Sequence, residues 1–321
     1  MNPFINEQIR ETTALFSGQH FQFERSRELQ VSFAHIFSRH LGNLAAGKHF
    51  EAEGILVTGE SGSGKTKEVR HLISEFNQSK AMLPSGMPAR FVSCLLRGIS
   101  GWKGLGKSSC KAVGYPIADS SRNTQERIWE KFVLQAKEQG IVGIHYDEAQ
   151  HIFRGKSETE CLAILDSFKT LLKSDEWPLM LIFTGIEELA GYIESEKQLF
   201  RLMTRNHFKD ISLPDDYQLI HEIVGSFAIH GKIEVAGDLA TEDFYKRLAT
   251  SGAFRWGILI KIIECAIGIA RSKGAQTLGR EHFVDVWVEK TRLSRLVTPF
   301  THDSYETMFR RSNLFLSFIE H

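Results

Sequence analysis

The chain has little cysteine, no net charge and no long apolar run. Its four cysteines, Cys94, Cys110, Cys161 and Cys265, are far apart and show neither C-x-x-C nor Cys/His zinc spacing. A disulfide-built or zinc-ribbon fold is thereby excluded, and buried thiols in a reducing cytosol are the simplest account. Lysine plus arginine number 39 and aspartate plus glutamate 39, leaving a formal net charge of +0. Any nucleic-acid surface must therefore be local rather than global. No stretch approaches the roughly 20 apolar residues that a membrane span needs. The N-terminal MNPFINEQIRETT lacks the basic-then-apolar design of a signal segment. The expectation is a soluble, cytoplasmic protein with no membrane partner. With 321 residues and 42% hydrophobic content, the chain can bury the cores of about two domains.

What is present centres on residues 54–66, GILVTGESGSGKT. Ile55, Leu56 and Val57 run into Gly59, Glu60, Ser61, Gly62, Ser63, Gly64, Lys65 and Thr66, a full match to G-x-x-x-x-G-K-[ST]. Glycines let such a loop turn its N–H groups inward. The following helix adds its positive N-terminal end, so the loop becomes an anion cradle. Lys65 is expected to reach the β- and γ-phosphates of ATP, and Thr66 to offer a hydroxyl to Mg²⁺.

Residues 141–148, IVGIHYDE, read as a buried parallel strand ending in two acids. Asp147 is expected to join Thr66 in the Mg²⁺ shell. Glu148 is expected to polarise the attacking water, because hydrolysis needs positioning and charge stabilisation more than covalent chemistry. Residues 177–184 form a further buried strand, and Thr184 at its end suits the γ-phosphate or the water. Other strands and helices are expected at 90–96 (strand), 25–41, 67–76, 124–139 and 162–172 (helices). Strands separated by helices imply an α/β fold with a parallel sheet covered on both faces.

From Asp215 onward strand signals vanish and helices are expected at about 216–230, 241–250, 254–272 and 279–296. The expected organisation is an irregular N-terminal arm packed on the first domain (1–24), an α/β nucleotide-binding domain (25–214), an all-helical lid (215–297) and an aromatic tail (298–321). In that tail Tyr305, Met308 and Phe309 would share a helix face, with Leu314, Phe315, Leu316, Phe318 and Ile319 beyond. It docks either on its own lid or on a partner.

Together these motifs resemble the AAA+ ATPases, whose fold is a P-loop parallel sheet with a small helical lid. Ser251-Gly252-Ala253-Phe254-Arg255 resembles the sensor 2 motif, which implies that Arg255 reaches back to the γ-phosphate. Thr204-Arg205, just before the expected apolar strand HFKDISLP, resembles the place of the arginine finger, with Arg201 one turn earlier as its rival. More narrowly, WKGLGKSSCKAVGYP (Trp102 to Pro116) and DEAQHIF (Asp147 to Phe153) resemble the TniB/TnsC-type transposition ATPases. That resemblance implies an ATPase forming homo-oligomeric rings or filaments on double-stranded DNA and linking a target selector to the transposase.

A neutral protein needs gathered basic residues to hold duplex. Lys103, Lys107 and Lys111, in a glycine-rich stretch without acids, are the expected phosphate contacts, with Arg154 and Lys156 as a second loop. Rival readings are a replication or helicase-loading AAA+ factor, a small-molecule phosphotransferase, and a signalling switch ATPase.

Overall fold

The computed structural model describes residues 4, 7–94, 96, 101–118, 120 and 122–309. In chain order its helices are α1 Glu7–Phe16, α2 Glu24–Ala46, α3 Lys65–Ser79, α4 Trp102–Ala112, α5 Gln125–Glu138, α6 Glu158–Leu172, α7 Glu187–Glu194, α8 Lys197–Arg201, α9 Tyr217–His230, α10 Glu242–Ser251, α11 Trp256–Ser272, α12 Arg280–Thr291 and α13 Tyr305–Met308. The strands are β1 Gly54–Gly59, β2 Arg90–Cys94, β3 Ile141–Tyr146, β4 Met180–Gly185, β5 Met203–Phe208, β6 Glu234–Val235 and β7 Thr277–Leu278. They fall into two compact units: Gln22–Ser61 with Lys65–Phe208, and Met1–Phe21 with Gly62–Gly64 and Lys209–His321.

The first unit is built on a five-stranded parallel sheet in the order β2-β3-β4-β1-β5. β1, β3 and β4 are buried along their whole length, as strands flanked by strands and covered on both faces must be. Their sequences are accordingly apolar runs rather than alternations, whereas the edge strands β2 and β5 mix buried and exposed positions. Within β1, Ile55 and Val57 enter the layer of α2 and α3 with Phe33, Val69 and Phe76. Leu56 enters the opposite layer with Leu105, Phe132 and Phe168 of α4, α5 and α6. Each such fully buried side chain contributes roughly 1.5–3 kcal/mol. Gly143 in β3 can carry no side chain, because a Cβ there would stand 2.2 Å from the Phe91 ring. The register sets Tyr146 beside Phe183 and Val57 beside Thr184, so β3, β4 and β1 end together. Their carboxyl ends are where the topology puts a site.

The second unit is mainly α9 to α12, but it also holds a parallel pair, β6–β7, that the sequence did not announce. Two-residue strands are too short for any alternation to register. The N-terminal segment differs from the expected irregular arm: it forms α1, which packs on α11 and α9 in this unit. Phe16 lies 5.7 Å from Phe227 between ring centroids, and His230 Nε2–H donates to the Leu15 carbonyl at 2.8 Å. The division between units follows Phe208 rather than Pro214. Residues past Phe208 are tied to the helices, since Ile211 N–H donates to the Phe254 carbonyl at 2.8 Å and Asp210 pairs with Arg255.

The start of the tail docks on its own unit. Arg247 lies 4.1 Å over the Tyr305 ring, and Phe309 meets Trp287 edge-on at 5.3 Å. Met308, expected on the same face, is 36% exposed instead. Leu314, Phe315, Leu316, Phe318 and Ile319 lie outside the described residues. Among the described residues no helix is long and apolar enough to cross a membrane. Burial pushes the Cys94 thiol up to about 12 and Cys110 to about 11, so neither is a thiolate at neutral pH.

Candidate nucleotide site

The chain leaves β1 through Gly59 and turns through Gly62 and Gly64, whose φ angles of 78° and 98° only glycine adopts without strain. α3 then begins at Lys65, aiming its N-terminal end at the loop. Lys65 is 4% exposed, and its Nζ donates to the carbonyls of Gly59 and Glu60, both at 2.9 Å. The positive charge is thus held inside the loop.

Asp147, just past the end of β3, joins the loop to the sheet. Its Oδ1 accepts from Thr66 Oγ1 at 2.9 Å and from Thr184 Oγ1 at 2.6 Å. Arg70, one turn along α3 from Thr66, places Nη2 3.4 Å from Oδ2. Thr66, Asp147 and Thr184, expected from sequence to act together, therefore meet at one carboxylate.

Glu148 adopts φ 52° and ψ 44°, a left-handed conformation that costs a non-glycine residue about 1–2 kcal/mol. Its carboxylate is partly exposed and accepts from Gln150 Nε2 at 2.5 Å. Gly185 at the end of β4 is closely packed, since a Cβ there would lie 2.4 Å from Gln150 Oε1 and 2.7 Å from Leu189 Cδ2. The sharp turn after Asp147 separates the two acids: one faces the loop hydroxyl, the other stands apart from it.

These residues fit a magnesium nucleotide. Among the described residues no group of three or more His, Cys, Asp or Glu side chains could hold a metal alone. One hydroxyl and one carboxylate in mutual contact suit Mg²⁺, which takes most of its oxygens from phosphate and water. Backbone N–H groups and Lys65 would supply the phosphate cradle.

Several contributors were missed. His145 is fully buried in β3, with Nδ1 3.2 Å from Ser93 Oγ and Nε2 3.0 Å from Thr184 Oγ1. Burial holds its imidazole well below the ordinary value, and so uncharged. The signal was available, because His145 is a polar residue inside the apolar run IVGIHY. Arg70, Gln150, Ser93 and the Thr58–His207 contact at 3.1 Å carry no comparable local pattern.

Other expected residues lie elsewhere. Arg205 is not before a strand but inside β5, opposite Leu56, exposed and 4.5 Å over the Phe200 ring. The strand begins earlier than the apolar stretch because Met203 already packs in the core. Arg201 is the exposed last residue of α8. Arg255 pairs with Asp210 within the helical unit. Lys103, Lys107 and Lys111 recur every fourth residue on α4, opposite its buried Leu105 and Ser109. Arg154 differs from an unmatched basic contact, since its Nη2 and Nε donate to one Glu188 oxygen at 2.6 and 2.9 Å. Lys156 is half-buried nearby.

Residues 48–193 match the AAA domain family. No curated protein matches significantly. Among solved structures, the Aeropyrum pernix ORC1 protein in complex with DNA is 16% identical at a TM-score of 0.57, with 84% of this chain and 65% of that one covered. This is the P-loop AAA+ fold. The Cdc6p structure from Pyrobaculum aerophilum shares it at 14% identity and a TM-score of 0.58, covering 86% of this chain and 70% of that one. The Aeropyrum pernix ORC2 protein, solved with ADPNP and ADP, gives 13% and 0.59, covering 86% and 71%. In AAA+ terms, β1 and its loop carry Walker A, and Asp147 and Glu148 close Walker B.

Proposed function

We propose that the chain is a magnesium-dependent ATPase that assembles on duplex DNA and regulates transposition. The observation that carries the ATPase part is Asp147 Oδ1 shared by Thr66 and Thr184, with the Glu148 carboxylate turned aside from both. On this reading Asp147 and Thr66 hold Mg²⁺, and Lys65 with the loop N–H groups binds the phosphates. Mg²⁺, when bound, offsets negative charge on the phosphate oxygens. Glu148 orients the attacking water and takes its proton. Thr184 fixes the Asp147 carboxylate. An arginine from a neighbouring copy, Arg205 or Arg201, completes the site, a head-to-tail arrangement that generates rings or filaments.

The transposition part rests on the resemblance of Trp102 to Pro116 and Asp147 to Phe153 to the TniB/TnsC-type proteins, and on the three α4 lysines. A target selector and transposase subunits are the expected partners. A second reading, a replication initiator or helicase loader, is favoured by the fold shared with ORC1 in complex with DNA. Electron microscopy with ATP and duplex DNA tests assembly: rings or filaments on DNA are expected, and a monomer under all conditions contradicts the proposal. A pull-down with transposase against replicative helicase separates the two readings.

A further inference from the structure

Hydrogen-bond direction around Thr184 is fixed by chemistry. A hydroxyl has a single hydrogen, and a carboxylate only accepts. At 2.6 Å from Asp147 Oδ1, Thr184 Oγ1 commits its hydrogen there. Its contact with His145 Nε2 at 3.0 Å must then run the other way, with the ring N–H donating. In the neutral ring Nδ1 is left as the acceptor and takes the Ser93 hydroxyl hydrogen at 3.2 Å. The result is one directed chain across three adjacent strands: Ser93 on β2, His145 on β3, Thr184 on β4, ending at Asp147.

Without a donor at Nε2, Thr184 could rotate its hydroxyl and point its hydrogen elsewhere. Asp147 would then lose one of the two hydrogens that fix Oδ1. We propose that His145 is a positioning residue: its Nε2–H sets the Thr184 hydroxyl, which in turn orients the Asp147 carboxylate. The proposal rests on the ATPase reading above and deepens it. Asparagine and glutamine separate the two ends of the ring, because the glutamine amide reaches the place of Nε2 and the asparagine amide reaches only that of Nδ1.

The test has two arms. In nucleotide-free protein labelled with ¹⁵N-histidine, long-range spectra should show His145 as the Nε2–H tautomer, and Thr184→Val should shift that resonance. Outer partners of metal ligands typically change activity or metal affinity on the order of 10- to 100-fold. His145→Asn should therefore lower kcat about 10-fold with KM for ATP little changed and the Mg²⁺ requirement raised, while His145→Gln should restore most of the rate. Adding His145→Asn to Thr184→Val should cost nothing further, since both break one chain. An Nδ1–H tautomer, equal rates for the two His145 variants, or additive losses would overturn the proposal. Wild-type turnover with His145→Asn unaffected overturns this proposal alone. Wild-type protein that releases no phosphate contradicts the ATPase reading and takes the proposal with it.

Discussion

Ser109 Oγ on α4 lies 2.8 Å from the hydroxyl of Tyr146, the residue before Asp147. The same Oγ is 2.9 Å from the Leu105 carbonyl, to which it must donate, so it accepts from Tyr146. The helix that carries Lys103, Lys107 and Lys111 is thereby joined to the Walker B strand inside the core. Tyr146 is fully buried, and burial raises its phenol well above the ordinary value. Ser109→Ala leaves a buried phenol without its acceptor and should cost about 1–3 kcal/mol. Tyr146→Phe removes the donor and leaves Ser109 its carbonyl, so it should cost about 1 kcal/mol. Denaturant unfolding of the two variants checks that order.

His40 predicts an acid-sensitive core. It is 2% exposed in α2, edge-on to Phe50 at 5.2 Å, and among the described residues neither ring nitrogen has a hydrogen-bond partner. Burial lowers its pKa to about 4. Because the folded value lies below the unfolded one, the unfolded chain takes up the proton first. Stability is therefore full above about pH 6.5 and falls as pH drops toward about 4, by on the order of 3 kcal/mol. His40→Leu should flatten that acid arm. Melting temperatures of the variant and wild type, compared across this range, should converge toward neutral pH and separate in acid.

The α4 lysines predict DNA binding that is indifferent to sequence and steep in salt. Lys103→Ala with Lys107→Ala should weaken binding equally on unrelated duplexes and reduce the salt slope by about 1 per lysine. Basal ATP hydrolysis should survive. Fluorescence anisotropy with a non-hydrolysable nucleotide reads both quantities, and unchanged affinity would show that these lysines are only a solvated helix face.

On the proposed assembly, the arginine supplied between copies would be either Arg201, at the end of α8, or Arg205, inside β5. If Arg205 serves, mixing Lys65→Ala with Arg205→Ala subunits should restore some activity, because one interface in the mixture is intact. Loss with Arg201→Ala but not Arg205→Ala would place the finger at the helix end.

Much of this was legible in the residues. The P-loop and the acidic strand end are short, local and demanding of residue type, so Thr66, Asp147 and Thr184, which share one carboxylate, could be singled out from the sequence. Continuous apolar runs marked the buried strands β1, β3 and β4 for the same reason that they lie inside the sheet. What escaped depends on distance in sequence. The Ser93–His145–Thr184 chain spans three strands, the position of α1 depends on Phe227 and His230, and the start of β5 is set by what Met203 packs against. None of these leaves a local signature, except that a lone histidine inside IVGIHY invites the question of what it bonds.

The central claim is that Lys65 and Glu148 divide binding from hydrolysis, with Glu148 turned away from Asp147 by its left-handed backbone. On the proposed reading Lys65 supplies charge to the phosphates before any reaction, whereas Glu148 would act on the water as the reaction proceeds. The direct measurement is nucleotide affinity and phosphate release, side by side, for Lys65→Ala and Glu148→Gln. The account predicts that Lys65→Ala loses binding, while Glu148→Gln binds ATP as wild type does and releases no phosphate. Wild-type phosphate release from Glu148→Gln would contradict it.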